Sequence, residues 1–208
     1  MLQTQLFPAA GLMPGVPALL HTLLASAPAS HPGERVHIAL ATSSAAYAYE
    51  LKTARHERLF ALFPPARRVL GDDPRIRAGH GKPAPDIYRL ALETINAGQR
   101  AAGAPEIAPA ECLVFEDAVT GVEAARRAGM RVVWVPHPGL LGVVRGSEAR
   151  VLAGAMGEIE KNIAEGTIDA GADIGEIGVV GDGMGEQLQS LEDFNYRRYG
   201  IITPEKRM

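Results

Sequence analysis

A chain of 208 residues, 47% of them hydrophobic, is long enough to bury a sizeable core and fits one globular domain. Its net charge of −3 gives no basic footprint for nucleic acid, and no apolar run approaches the ~18–20 residues of a membrane span. A single cysteine excludes an intrachain disulfide framework, and no basic stretch precedes the apolar residues near the start, so the expected location is cytoplasmic.

Residues 15–26, after Pro14, predict a helix, and 27–34 a Pro/Ser/Gly loop. Residues 36–41 (Val-His-Ile-Ala-Leu-Ala) predict a strand. Thr42, Ser43 and Ser44 follow, then helical stretches over 45–58 and 59–63. Hydroxyls and free N–H groups at a strand-to-helix junction make an anion site, and they equally make an ordinary helix cap. Tyr47, Tyr49 and Phe60 fall at helical positions and read as packing residues. Residues 67–71 predict a short strand before Asp72-Asp73-Pro74.

Gly79-His-Gly-Lys-Pro-Ala-Pro-Asp86 comes next. Two glycines precede Lys82, while Pro83 and Pro85 restrict the backbone, so one lysine is presented at a loop tip ahead of a helix over 87–97. The chain has 17 Arg and only four Lys, at 52, 82, 161 and 206. An ammonium on a stiff loop suits phosphate as a compact point charge; a solvated lysine is the plainer reading. His80 reads as a solvated loop residue.

The run Cys112-Leu-Val-Phe115 predicts a buried strand ending in the adjacent acids Glu116 and Asp117. A short turn then opens a helix over 119–128, closed by Gly129, and 131–135 predicts another strand. Carboxylates at the end of a parallel strand lie where open α/β sheets bind ligands, and they suit Mg²⁺. An acidic helix cap is the competing reading. Cys112 itself reads as a small buried hydrophobe. Beyond Pro138 the alternation stops: 147–164 predicts one amphipathic helix, and 166–185 is rich in Gly, Asp and Ile. Ile177-Gly-Val-Val-Gly-Asp182-Gly183 predicts a surface hairpin or loop.

In chain order, the strand before Thr42-Ser-Ser44, the Gly-Lys-Pro-Ala-Pro-Asp loop and the strand before Glu116-Asp117 resemble the haloacid dehalogenase superfamily of phosphatases. The likeness covers 12–140 and 188–201. Leu12-Met-Pro-Gly15, Ala39-Leu-Ala-Thr-Ser-Ser44, Leu51-Lys-Thr53 with His56, Gly71-Asp-Asp-Pro74 and Val114-Phe-Glu-Asp117 look most like its pseudouridine-5′-phosphatase group. Ser190-Leu-Glu-Asp-Phe194 followed by Tyr199-Gly200 also looks like that group. The resemblance implies an α/β fold, a doubly wound parallel sheet, over 1–139, with 140–187 as an insertion and 188–208 as a tail packing on the core.

The resemblance also implies phosphomonoester hydrolysis through an aspartyl-phosphate, on a small phosphorylated metabolite such as a sugar or nucleoside phosphate, with Mg²⁺ as cofactor. In that scheme Asp117 binds Mg²⁺ and Glu116 assists at the metal, directly or through water. Lys82 holds the phosphate and orients the nucleophile, and Thr42 and Ser43 bind phosphate oxygens. The superfamily's first motif, a strand ending in Asp-x-Asp, has no counterpart, since no Asp precedes Asp72. Neither the nucleophile nor the general acid is carried over. The expectation is a truncated, inactive form of such a phosphatase. A non-catalytic phosphate-binding protein or an interaction protein is the alternative, and the oligomeric state is open. With the family topology, the absent strand would lie between the strands ending at Ala41 and Phe115, leaving two unpaired inner edges.

Overall fold

Parallel pairing organises the chain into two half-sheets. The computed structural model describes residues 2–169 and 171–204. The first elements are α1 (Leu2–Leu6), α2 (Val16–Leu24), β1 (Ala27–Pro28), β2 (Leu40–Ala41), α3 (Ala46–Thr53), α4 (Glu57–Phe60) and β3 (Arg68–Val69). Then come α5 (Asp86–Ala101), β4 (Leu113–Glu116), α6 (Val119–Arg127), β5 (Arg131–Trp134) and α7 (Pro138–Val143). The last are α8 (Glu148–Leu152), α9 (Glu158–Ala164), β6 (Gly185–Gln187) and β7 (Ile201–Ile202).

β2 pairs parallel with β3, Leu40 opposite Arg68. β4, β5 and β6 form a second parallel sheet in that order, with Val114 opposite Val132 and Val132 opposite Gly185. Helices alternate with these strands, as in an α/β doubly wound fold. Among the described residues, β2 and β4 each carry a strand on one edge only. The two half-sheets are still layers of one sandwich. On one face α5 buries Ile87, Tyr88, Ala91, Leu92 and Ile95, a helical period, against Val69 of β3 and Val114 and Val132 of the other sheet. On the other face Leu19 and Leu23 of α2 pack with Ile38, Leu40, Leu113, Phe115 and Phe194.

Several local expectations change for physical reasons. The strand expected over 36–41 is paired only at Leu40–Ala41, because β3 offers two residues of ladder. The helix expected over 87–97 extends through Ala101. The single helix expected over 147–164 is two, α8 and α9, because Gly154 (φ +69) and Gly157 (φ +82) turn the backbone left-handed between them. Residues 177–180 form a loop, and the strand of this region is β6, just beyond Asp182. Tyr49 and Phe60 meet edge to face at 5.8 Å, as packing residues should, but Tyr47 is 57% exposed.

Parts of 140–187 are bound into the core. β6 extends the main sheet, and α8 lies against α6. Glu123 of α6 is fully buried. It accepts hydrogen bonds from Arg127 Nε at 3.0 Å and from the Glu158 and Ile159 N–H groups, both at 3.2 Å. One carboxylate thus neutralises a buried guanidinium and caps α9. Burial lifts its carboxyl above the usual range, and the Ile159 N–H and Arg127 oppose that rise.

The tail returns to the core through Phe194, 5.2 Å from the Phe115 ring and 5.1 Å from that of Tyr199, and through β7, antiparallel to β1. Its last residues, 205–208, lie outside the described residues. No helix among the described residues is long and apolar enough to cross a membrane.

Replacing Glu123 by Ala removes the fully buried partner of Arg127, leaving it Glu160 and the Gly175 carbonyl, and uncaps α9. Glu123→Ala is expected to lower the unfolding free energy by about 3–5 kcal/mol in a urea titration. Removing Arg127's other partner, the 57%-exposed Glu160, should cost under ~1 kcal/mol. Equal losses at the two positions would contradict the assignment of Glu123 as the buried anchor.

Candidate active site

The turn after β2 is held from the β3 side. Thr42 N–H donates to the Val69 carbonyl at 3.0 Å, and Gly71 N–H donates to the Ser44 carbonyl at 2.9 Å. A Cβ at Gly71 would overlap the Ser43 backbone, so only glycine lets the two turns approach this closely. Within the turn Ser44 N–H donates to Thr42 Oγ1 at 3.1 Å. Asp72 accepts the Ala46 N–H on both carboxylate oxygens, at 3.0 and 3.1 Å, and so caps α3.

Lys82 crosses the space between the half-sheets. Its side chain is 10% exposed. Its Nζ donates to the Ala41 carbonyl at the end of β2, 3.3 Å away, and forms an ion pair with Glu116 at the end of β4. The Tyr88 ring centroid lies 4.9 Å from the ammonium.

Glu116 is saturated. Oε1 accepts from Lys82 and from the Tyr88 hydroxyl, while Oε2 accepts from the Asp117 and Ala118 N–H groups at 3.1 and 3.3 Å. A buried ion pair survives only when its remaining lone pairs are met in this way. Burial first, then the charge of Glu116 and its hydrogen bond, then the charge of Asp117, hold the Tyr88 phenol well above its ordinary value. Tyr88 is therefore a donor at neutral pH. A Cβ at Gly121 would overlap the Glu116 carboxyl, so the first turn of α6 must carry glycine for Glu116 to fold back over it.

Asp117 differs from its neighbour. It is exposed, and among the described contacts its carboxylate makes no hydrogen bond. Its backbone is fixed where its carbonyl accepts Trp134 Nε1 at 3.1 Å. A free carboxylate at the carboxyl end of a parallel strand suits Mg²⁺, which takes one or two carboxylates and keeps several waters. Glu116 has all four carboxylate positions engaged by Lys82, Tyr88 and two backbone N–H groups. Among the described residues no three His, Cys, Asp or Glu side chains cluster as a closed metal site.

The predicted residues therefore fall around one place. Thr42 and Ser43 lie at the end of β2, Glu116 and Asp117 at the end of β4, and Lys82 joins the two. Other polar and thiol side chains lie elsewhere or are already engaged. His80 is not solvated: it is 6% exposed, with Nδ1 3.2 Å from Asp86 Oδ1. Asp182 is tied to Arg126 and to the N–H groups of Met184 and Val179, at 2.9 and 3.2 Å, and caps its own loop. Burial, then the charge of Glu111, pushes the Cys112 thiol up to about 11, so it is no nucleophile.

Tyr88, Gly121 and Trp134 are site residues that pattern reading passes over. For Tyr88 a signal existed: a polar-tipped aromatic on the buried face of α5 needs a hydrogen-bond partner.

The haloacid dehalogenase-like hydrolase family matches residues 10–129. The chain is 36% identical over 168 residues to a probable pseudouridine-5′-phosphatase of Saccharomyces cerevisiae, covering 81% of this chain and 56% of that protein. It is 44% identical over 131 residues to a probable pseudouridine-5′-phosphatase of Drosophila melanogaster, covering 63% and 48%. It is 41% identical over 131 residues to (DL)-glycerol-3-phosphatase 1 of Arabidopsis thaliana, covering 63% and 38%. The chain spans about half the length of the curated relatives it matches. The family match takes in more than half of the chain and the elements that carry Thr42, Lys82, Glu116 and Asp117, and the chain belongs to the haloacid dehalogenase-like hydrolases.

Proposed function

We propose that this chain forms the phosphate- and Mg²⁺-binding part of a phosphomonoester hydrolase site for small phosphorylated metabolites. The observation that carries the reading is the Lys82 ammonium, held between the Ala41 carbonyl and Glu116 at the carboxyl ends of β2 and β4. A fixed cation beside a hydroxyl-bearing turn and a free carboxylate is the set that a phosphoryl group and a hard cation need. The relatives named as pseudouridine-5′-phosphatases and glycerol-3-phosphatase support a sugar or nucleoside phosphate as substrate.

In this reading Lys82 donates to a phosphoryl oxygen, and the Thr42 hydroxyl and Ser43 N–H take further oxygens. Asp117 holds Mg²⁺, which when bound offsets phosphoryl charge. Glu116, fixed by Tyr88 and two backbone N–H groups, keeps Lys82 aimed. Among the described residues, Glu116 is saturated, Asp117 is committed to the cation in this reading, and Asp86 pairs with His80 through Oδ1 while its Oδ2 is buried, so none beside Lys82 is presented as a nucleophile. Hydrolysis through a phospho-aspartate calls for a carboxylate presented between β2 and β4, where each strand has a free edge. A phosphate-binding protein without turnover is the second reading, and the lack of a free attacking carboxylate favours it.

The chain is expected to bind inorganic phosphate with Mg²⁺ in calorimetry and to release no phosphate from glycerol-3-phosphate or a nucleoside 5′-monophosphate above background. Asp117→Asn should abolish Mg²⁺ binding. Mg²⁺-dependent release by the chain alone, lost in Asp117→Asn, would show that the nucleophile is already present.

Fusing ahead of the chain a strand that ends in Asp-x-Asp should raise the melting temperature and create turnover. In that fusion Lys82→Ala should slow the reaction ~10²-fold or more, the scale of one lost charge-stabilising donor. A fusion that binds phosphate, gains no turnover and melts no higher would leave the non-catalytic reading standing.

A further inference from the structure

Lys52 is a half-buried ammonium with no carboxylate partner among the described residues. Lys82 is paired with Glu116, and Lys161 is exposed. Lys52, in the last turn of α3, is partly buried, yet among the described residues no carboxylate pairs with it. Asp72, on the loop beside the same turn, is instead directed at the Ala46 N–H.

The Lys52 ammonium is nevertheless fixed. Its Nζ donates to Ser44 Oγ at 2.9 Å and stands 4.5 Å from the centroid of the Phe7 ring. Ser44 N–H in turn donates to Thr42 Oγ1. Lys52 is thus one hydroxyl away from the turn that ends β2. An ammonium has three donors, of which Ser44 takes one; an aromatic face attracts the charge without neutralising it. A partly buried charge left unpaired costs stability, and a bound anion would offset that cost.

We propose that Lys52 is a second anion-binding residue of this site, taking a phosphate oxygen next to the Thr42–Ser44 turn while Lys82 takes another. The proposal rests on the phosphate-site reading above and adds a residue to it. The plainer role for Lys52 is structural, as a cation at the end of α3 resting on Phe7.

Calorimetric titration of the full chain with inorganic phosphate, Mg²⁺ present, separates the two roles. Lys52→Met keeps the aliphatic stem against Phe7 and removes the charge. It should weaken phosphate binding about tenfold, the worth of one charge-assisted hydrogen bond, without lowering the melting temperature. Lys52→Arg should recover most of the affinity. Lys52→Gln gives a second neutral variant should methionine disturb the packing. Neutral variants that bind phosphate as tightly as the unaltered chain, while Lys82→Ala does not, would overturn this inference and leave the site reading intact. No phosphate binding by the unaltered chain would remove both.

Discussion

The buried pairing of Lys82 with Glu116 is the constraint around which the rest of this molecule is arranged. Two ions withdrawn from water cost several kcal/mol unless each remaining lone pair and proton finds a partner. Here the Ala41 carbonyl, the Tyr88 hydroxyl and the N–H groups of Asp117 and Ala118 supply those partners. Each comes from a different piece of the fold: the end of β2, the buried face of α5 and the turn between β4 and α6. Gly121 makes the room, and Trp134 fixes the backbone one residue on. The pair therefore registers two half-sheets that, among the described residues, share no ladder hydrogen bonds with each other.

That division is visible in burial. β5, paired on both edges, is closed, with Val132, Val133 and Trp134 at 1% exposure or less. Leu40 and Ala41 of β2 and Leu113 and Phe115 of β4 remain half-buried although they are apolar and lie inside the sandwich. Among the described residues the inner edges of β2 and β4 carry no neighbouring strand, and the candidate site lies at the carboxyl ends of these two strands.

Much of the candidate site was legible along the chain because its signals are local. An apolar run ending in Glu116-Asp117 and closed by Gly129 specifies strand, acidic turn and helix within twenty residues or so, and those elements form where expected. The Gly/Pro frame around Lys82 marks a stiff loop for the same reason. What could not be read is the partner of each side chain. Lys82 meets Ala41, 41 positions away, and Glu123 caps α9 from 35 positions away. The break between α8 and α9 was written in Gly154 and Gly157, but amphipathic periodicity outweighed it. His80 looked solvated because its neighbours are Gly and Pro; Asp86 draws it inside.

The sequence by itself determined the element types, the α/β alternation and the residue types able to bind phosphate and a hard cation, because periodicity, caps and turn chemistry act over a few residues. Only the tertiary structure decided that Glu116 turns inward to Lys82 while Asp117 faces out, that Tyr88 donates to Glu116, and that Lys52 meets Ser44 and Phe7 rather than a carboxylate among the described residues. Those outcomes depend on which charges are brought together out of water, and burial is a property of the packed whole rather than of any stretch of chain.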